Sequence, residues 1–246
     1  MDYRSYRTKW VEKLIILMLS TGITLLMSFL FYDSKWGMLG LIPVVLIVSK
    51  IWKRQRKEKR NRQLKKEFMD FIQILSTFLS TGSSLENAMV KAEPEMKKQY
   101  GNESLMYQEI IAMNKEVQLR KPVEKVLLEF GQRTGLKDIE NFGEVISFGK
   151  RGGGNMIGIV EHTMECMRDK WETEEEIHVV MSGKMLELRI MNVIPLGIIG
   201  YLRLSSGDYL DPLYHSFGGS CFMTVCLLMY LGLMALSYKI MTIQVE

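Results

Sequence analysis

Residues 68–89 read FMDFIQILSTFLSTGSSLENAM, an apolar helical pattern that halts at Thr81-Gly82-Ser83-Ser84 and restarts at once. Upstream and through this stretch, Leu64, Phe68, Phe71, Ile72, Leu75, Phe78 and Leu79 fall at i, i+4, i+7, i+8, i+11, i+14 and i+15. That spacing lays one broad apolar face along a helix of 3.6 residues per turn. Gly82 suits the left-handed conformation that ends a helix, and Ser83-Ser84-Leu85-Glu86 has capping-box spacing for starting the next. The joint therefore predicts a helical hairpin, with Leu85, Ala88, Met89 and Ala92 forming the second inner face.

The punctuation repeats downstream. Pro94 and Tyr100-Gly101-Asn102 are expected to break the chain before a third helix carrying Met106, Ile110, Met113 and Val117 inward. Pro122 suits the first turn of a fourth, with Val123, Val126, Leu127 and Phe130 in the core, and Gly131 and Gly135 loosening its end. Asp138 is expected to cap a fifth helix bearing Ile139, Phe142, Val145 and Ile146, which Arg151-Gly152-Gly153-Gly154 ends. Asn155 caps a sixth, carrying Met156, Ile159 or Val160, Thr163, Met164 and Met167, before a polar run over Glu172–Glu176. No strand-like alternation competes, so residues 63–184 are expected to form one helical bundle.

The flanks are of another composition. Leu14–Tyr32 is nineteen residues without a charge, about the length that crosses a hydrocarbon core near 30 Å thick. A second apolar run, Trp36–Ser49, follows after Asp33-Ser34-Lys35, so the pair reads as an uncleaved hairpin anchor rather than a signal peptide. Leu186–Leu204 is a weaker span: Glu187, Arg189 and Arg203 intrude, leaving thirteen uncharged residues between the two arginines. It crosses only if those side chains snorkel. Gly219–Ile240 carries no charge before Lys239. The expected division is thus 1–52 (spans near 14–32 and 36–52), 53–184 (basic linker and helical domain), and 185–246 (spans near 186–204 and 219–240).

Charge sets the expected orientation, since cytoplasmic flanks of spans carry excess Lys and Arg. Lys50–Lys66 holds ten Lys or Arg against one Glu, and Arg4, Arg7, Lys9 and Lys13 precede the first span. The two connecting loops hold one Lys between them, with Asp33, Asp208 and Asp211. Both termini and the bundle are therefore expected inside. The net charge of +4 concentrates in a juxtamembrane run that includes Lys53, Arg54, Arg56, Lys57, Lys59 and Arg60, which fits anionic lipid headgroups. With no aromatic platform or recognition motif beside it, it does not read as a nucleic-acid surface.

Chemistry-bearing motifs are sparse. Gly149–Asn155 (GKRGGGN) lacks the order of a phosphate-binding loop and follows no strand. His162 and Cys166 share a helix face, but two ligands do not make a zinc site. Cys221 and Cys226 lie in the last span, so no disulfide framework is implied. No nucleophile, paired-carboxylate or cofactor motif stands out; neither an enzyme nor a cofactor is expected.

FMDFIQILSTFLSTGSSLENAM, followed some sixty residues later by ISFGKRGGGNMIGIVEHT, resembles the F domain of type II secretion and type IV pilus inner-membrane platform proteins, their tight-adherence branch above all. The likeness spans about residues 68–204. It implies an all-α, polytopic membrane protein of the bacterial inner membrane, with a cytoplasmic six-helix bundle between two transmembrane pairs. It further implies a non-enzymatic role, coupling a hexameric secretion-type ATPase to the assembly or export of pilin-like subunits. The matching positions are Gly82, Leu85 and Ala88 at the first turn and Gly152, Gly153 and Asn155 at the second, all turn and packing residues. Longer members hold two F domains in tandem and this chain one, so a second F-domain chain or a homodimer is expected. Glu174, Glu175 and Glu176 are the expected ATPase docking patch. The rival reading is a membrane-anchored helical signalling adaptor, which would usually show a larger outer loop than the thirteen residues Ser205–Phe217.

Overall fold

The computed structural model describes residues 10–31, 41–152, 155–205 and 216–243. Among them the chain is helical with no strand: α1 (Trp10–Phe31), α2 (Leu41–Ser80), α3 (Leu85–Tyr100), α4 (Leu105–Gln118), α5 (Val123–Thr134), α6 (Lys137–Arg151), α7 (Met156–Ser205) and α8 (Phe217–Ile243). It divides into two compact units, one holding Lys53–Glu172 and the other the apolar segments before and after it.

In the first unit a single core draws on α2 through α7. Leu64, Phe68, Phe71, Ile72, Leu75 and Leu79 of α2 meet Ala88 and Met89 of α3, Met106 and Ile110 of α4, Val126 and Phe130 of α5, Phe142 and Ile146 of α6, and Val160 and Met167 of α7. Phe68 is its centre. The ring lies 6.1 Å from that of Phe130 and 5.5 Å edge-on from that of Phe142, a geometry that matches positive ring edge to negative face. Val145, expected in this core, is 37% exposed.

The α2–α3 joint closes as a Schellman turn: Gly82 N–H donates to Leu79 O (2.9 Å) and Ser83 N–H to Phe78 O (3.1 Å), with Gly82 at φ +85°. Ser84, not Ser83, is the N-cap of α3, accepting from Asn87 N–H at 3.3 Å. Pro94 does not break the chain; it sits inside α3. Its exposed position faces the proline gap to solvent, where water can bond the carbonyl left without a donor.

Two further expectations change with the packing of α5 on α6. Gly131 does not loosen the helix end: it is a contact point, and a Cβ there would fall 2.6 Å from Glu140 Cα. Gly143 answers from the other helix, where a Cβ would fall 2.8 Å from Leu128 Cα. The two backbones therefore touch, and no side chain larger than hydrogen fits at either position. Asp138 is not the cap of α6 either. Leu136 occupies that position without a side-chain bond, and the Asp138 carboxylate is engaged by two lysines.

In the second unit, three helices are long and apolar enough to cross a membrane: Trp10–Phe31, the C-terminal part of Met156–Ser205, and Gly218–Ser237. The expected span near 36–52 begins outside the described residues, and its described part, from Leu41, is helical. Leu30, Phe31 and Met223 form a small core with Met27, Leu196, Ile199 and Leu227, joining α1, α7 and α8.

Candidate functional site

The first motif turn faces residues that flank the second. Leu79, Gly82, Ser83, Ser84, Leu85 and Glu86 face Lys150, Met156 and Ile157 across a cleft of about 370 Å³. Leu85 and Ala88 are buried below it in the core: one fills the floor, the other lets α3 pack closely. Gly149 lies against Met156 and Ile159, and a Cβ there would fall 2.6 Å from the end of the Ile159 side chain. Asn155 Oδ1 accepts from Gly158 N–H at 3.4 Å and so caps α7 as expected. Gly152 ends α6 at φ −78°, in ordinary right-handed geometry; Gly153 lies outside the described residues.

Lys150 ties the cleft together. Its Nζ reaches Glu86 at 2.7 Å and Glu124 at 3.0 Å, pinning α6 to α3 and α5. The hydrogen bond from Lys150 holds the Glu86 carboxyl below its ordinary value, against the opposing effect of burial. Burial pulls Lys150 down, but its two glutamates outweigh that and hold its ammonium above the ordinary lysine value. One ammonium between two carboxylates thus joins three helices beside the cleft.

Three carboxylates organise the rest of this unit: Glu67 and Glu109, which sequence reasoning passed over, and Asp138, which it read as a cap. Glu67 is 2% exposed on the apolar face of α2. Its carboxylate accepts from Ser104 Oγ (2.9 Å), Met106 N–H (2.9 Å) and Gln63 Nε2 (2.8 Å), so α2 caps the start of α4 with a negative charge, where the helix dipole favours one. Glu109, equally buried, receives Arg133 at 2.7 Å and links α4 to α5. Asp138 receives Lys65 at 2.7 Å and Lys170 at 2.6 Å, joining α2, α6 and α7. Beside it the Trp171 ring lies 5.1 Å from Lys65 Nζ. The one available signal was a carboxylate at a helical core position, as at Glu67, since buried charges are rare without partners.

The remaining expected positions are solvated. Lys53, Arg54, Arg56, Lys57 and Lys59 are exposed and Arg60 half-buried; Arg54 pairs with Glu58 at 2.7 Å within the helix. Glu174 and Glu176 are exposed and Glu175 half-buried, all within the continuous helix α7. His162 Nε2 and Cys166 Sγ stand 3.8 Å apart and both are exposed. No group of three metal-ligating side chains occurs among the described residues. No family model, curated protein or solved structure matches this sequence.

Proposed function

We propose that this chain is an inner-membrane platform protein of a pilus or type II-like secretion apparatus, coupling a cytoplasmic ATPase to the assembly or export of pilin-like subunits. The observation that carries the reading is that the first motif turn, Gly82–Glu86, faces Lys150, Met156 and Ile157, which flank the second, across one cleft. A resemblance read from two separated stretches of sequence thereby acquires a common structural reason. The first and last helices of that unit, α2 and α7, each extend beyond it into apolar sequence, which suits a part that relays motion to spans.

On this reading residues 53–184 form a cytoplasmic six-helix bundle between two transmembrane pairs, with both chain termini inside. Lys53, Arg54, Arg56, Lys57, Lys59 and Arg60 meet anionic headgroups, at about 1 kcal/mol per residue near the surface. Glu174, Glu175 and Glu176 present acidic charge to the ATPase, and a second F-domain chain or a second copy completes the platform. The protein hydrolyses nothing itself.

Affinity purification from gently solubilised membranes tests the proposal. A secretion-type ATPase and small pilin-like proteins should accompany the wild-type chain. Glu174→Lys, Glu175→Lys and Glu176→Lys together should lose the ATPase while leaving insertion intact, because exposed charges steer association more than they stabilise a fold. Capture of neither protein by the wild type, or ATP turnover by the purified chain alone, contradicts the proposal.

A further inference from the structure

The C-terminal part of α7 contains Pro195, and the two sides of that proline are held differently. On the far side, Leu196 and Ile199 pack with Met27, Leu30 and Phe31 of α1 and with Met223 and Leu227 of α8. A Cβ on Gly200 would lie 3.5 Å from Leu30 Cδ2, and the Arg203 guanidinium lies 3.9 Å over the Phe29 ring. On the near side none of residues 190–194 joins that cluster, and Ile190, Met191, Val193 and Ile194 expose more than half of their surface, as Ile198, Tyr201 and Leu204 do beyond the proline. There, Tyr230 of α8 donates its hydroxyl to the Asn192 carbonyl at 2.7 Å.

That bond sits where the helix is weakest. Pro195 has no N–H, so the Met191 carbonyl loses its helical donor, and the proline ring crowds it. Asn192 O is the next carbonyl along, in the turn that precedes the proline. Pro195 is six residues from Arg189 and eight from Arg203, roughly 9 and 12 Å along the axis, which puts the defect in the middle of the uncharged stretch. Water does not reach that depth, so a proline there persists where neighbouring helices supply hydrogen-bonding groups to the disturbed backbone. A tyrosine hydroxyl in hydrocarbon likewise requires an acceptor. Asn192 O supplies that acceptor, one residue from the carbonyl that the proline leaves without a donor.

We infer that Pro195 is a hinge in this span and that Tyr230 is its latch. The far half of the span is anchored to α1 and α8, the near half swings about Pro195, and the Tyr230–Asn192 bond holds it closed against α8. Release of one hydroxyl frees the hinge without unpacking the anchored half. The inference stands on these spans alone and is independent of which machine the chain serves.

The test is hydrogen–deuterium exchange on the full chain in nanodiscs of phosphatidylethanolamine and phosphatidylglycerol, with Tyr230→Phe, Pro195→Ala and the double variant. Phenylalanine keeps the ring and its packing, so a purely steric role for Tyr230 leaves exchange unchanged. The latch predicts several-fold faster exchange of the 191–198 amides in Tyr230→Phe, with the amides of Ile199–Leu202 unaffected. In the Pro195→Ala background, where residue 195 again donates to Met191, the same Tyr→Phe change should have little effect. Wild-type exchange in Tyr230→Phe overturns the inference. So does an equal acceleration with and without the proline, because the hydroxyl would then be independent of the hinge.

Discussion

The two units differ in how far their polar groups tie one helix to another. In Lys53–Glu172, carboxylates are carried into the interior and shared between helices: Glu67 bonds α4 from α2, Glu109 bonds α5 from α4, and Asp138 gathers α2 and α7 around α6. Hydroxyls turn back on their own helix in both units, as Thr77 does on Gln73 O and Thr163 on Ile159 O in the first, and in the described apolar segments such local bonds predominate. Ser20 and Thr21 bond Leu17 O, Thr24 bonds Ser20 O, and Thr224 bonds Ser220 O. A domain folding in water can satisfy a charge with several donors and gain a fixed helix crossing from it. A helix made to lie in lipid has no such donors at hand and satisfies each hydroxyl locally. Tyr230, which reaches a neighbouring helix, departs from that habit at the proline, where the backbone itself offers an acceptor.

The largest effect that tests this comparison is steric. Gly131→Ala or Gly143→Ala sets a Cβ 2.6 or 2.8 Å from backbone of the opposite helix, and backbone moves only if α5 and α6 separate. Each should cost about 3 kcal/mol, the upper end for overpacking, read by denaturation of the full chain in detergent. Gly232→Ala, in α8 with nothing within 4 Å of the added atom, should be near neutral by the same measurement. If the three variants melt alike, backbone contact is not what joins α5 to α6.

Next comes the buried carboxylate. Glu67→Ala strands Ser104 Oγ and Met106 N–H in the core and should lose about 2 kcal/mol, whereas Ser20→Ala in α1, whose bond is local, should lose well under half of that. A comparable loss at both sites would erase the distinction between the units.

Positive-φ glycines give a comparison within the first unit. The sequence suggests that Gly82→Val is worse than Gly101→Val, on the grounds that Gly101 lies in a forgiving loop. The structure removes those grounds: Gly101 sits at φ +75°, ψ −174°, a region that residues with a Cβ essentially never occupy. Both substitutions should cost roughly 1–3 kcal/mol, with Gly101→Val at least as damaging. A clearly milder Gly101→Val would restore the simpler reading.

The smallest expected effect is electrostatic and depends on pH. Burial raises the Asp138 carboxyl, but bonds from Lys170 and Lys65 outweigh it, so its folded value lies below the ordinary one. A depressed carboxylate contributes stability that is fully present above its unfolded value, near 3.9, and is lost as pH falls through the folded value. Asp138→Asn should therefore cost about 1 kcal/mol at pH 7, discounted for the solvent reaching Lys170, and the gap to wild type should close below about pH 4. A gap that stays constant down to pH 2 would assign Asp138 a role other than its charge.

Much of the architecture was legible because it rests on apolar period and turn chemistry. The face from Leu64 to Leu79, the Gly82 turn and the Asn155 cap emerge where expected. What escaped reading depends on partners far away in sequence. Nothing local says that Gly131 meets Glu140 and Gly143 meets Leu128, so a helix-end glycine reads as a loosener. Asp138 looks like a cap until Lys65 and Lys170 are brought to it from 73 residues before and 32 after. Pro94 looks like a breaker until its outward face is known. The Glu172–Glu176 run holds no Gly or Pro, and the helix continues through it into the apolar sequence beyond. At the candidate site the two turns were each legible, but the approach of the first to Lys150, beside the second, was not.

The most direct test of the account is export itself. In a strain lacking this chain but with its ATPase at normal abundance, the amount of pilin-like protein reaching the cell surface should fall to background. Re-expression of the wild-type chain should restore it, and the Glu174→Lys, Glu175→Lys, Glu176→Lys variant, inserted at equal level, should not. Normal surface assembly in the absence of the chain would contradict the claim that it couples the ATPase to the filament.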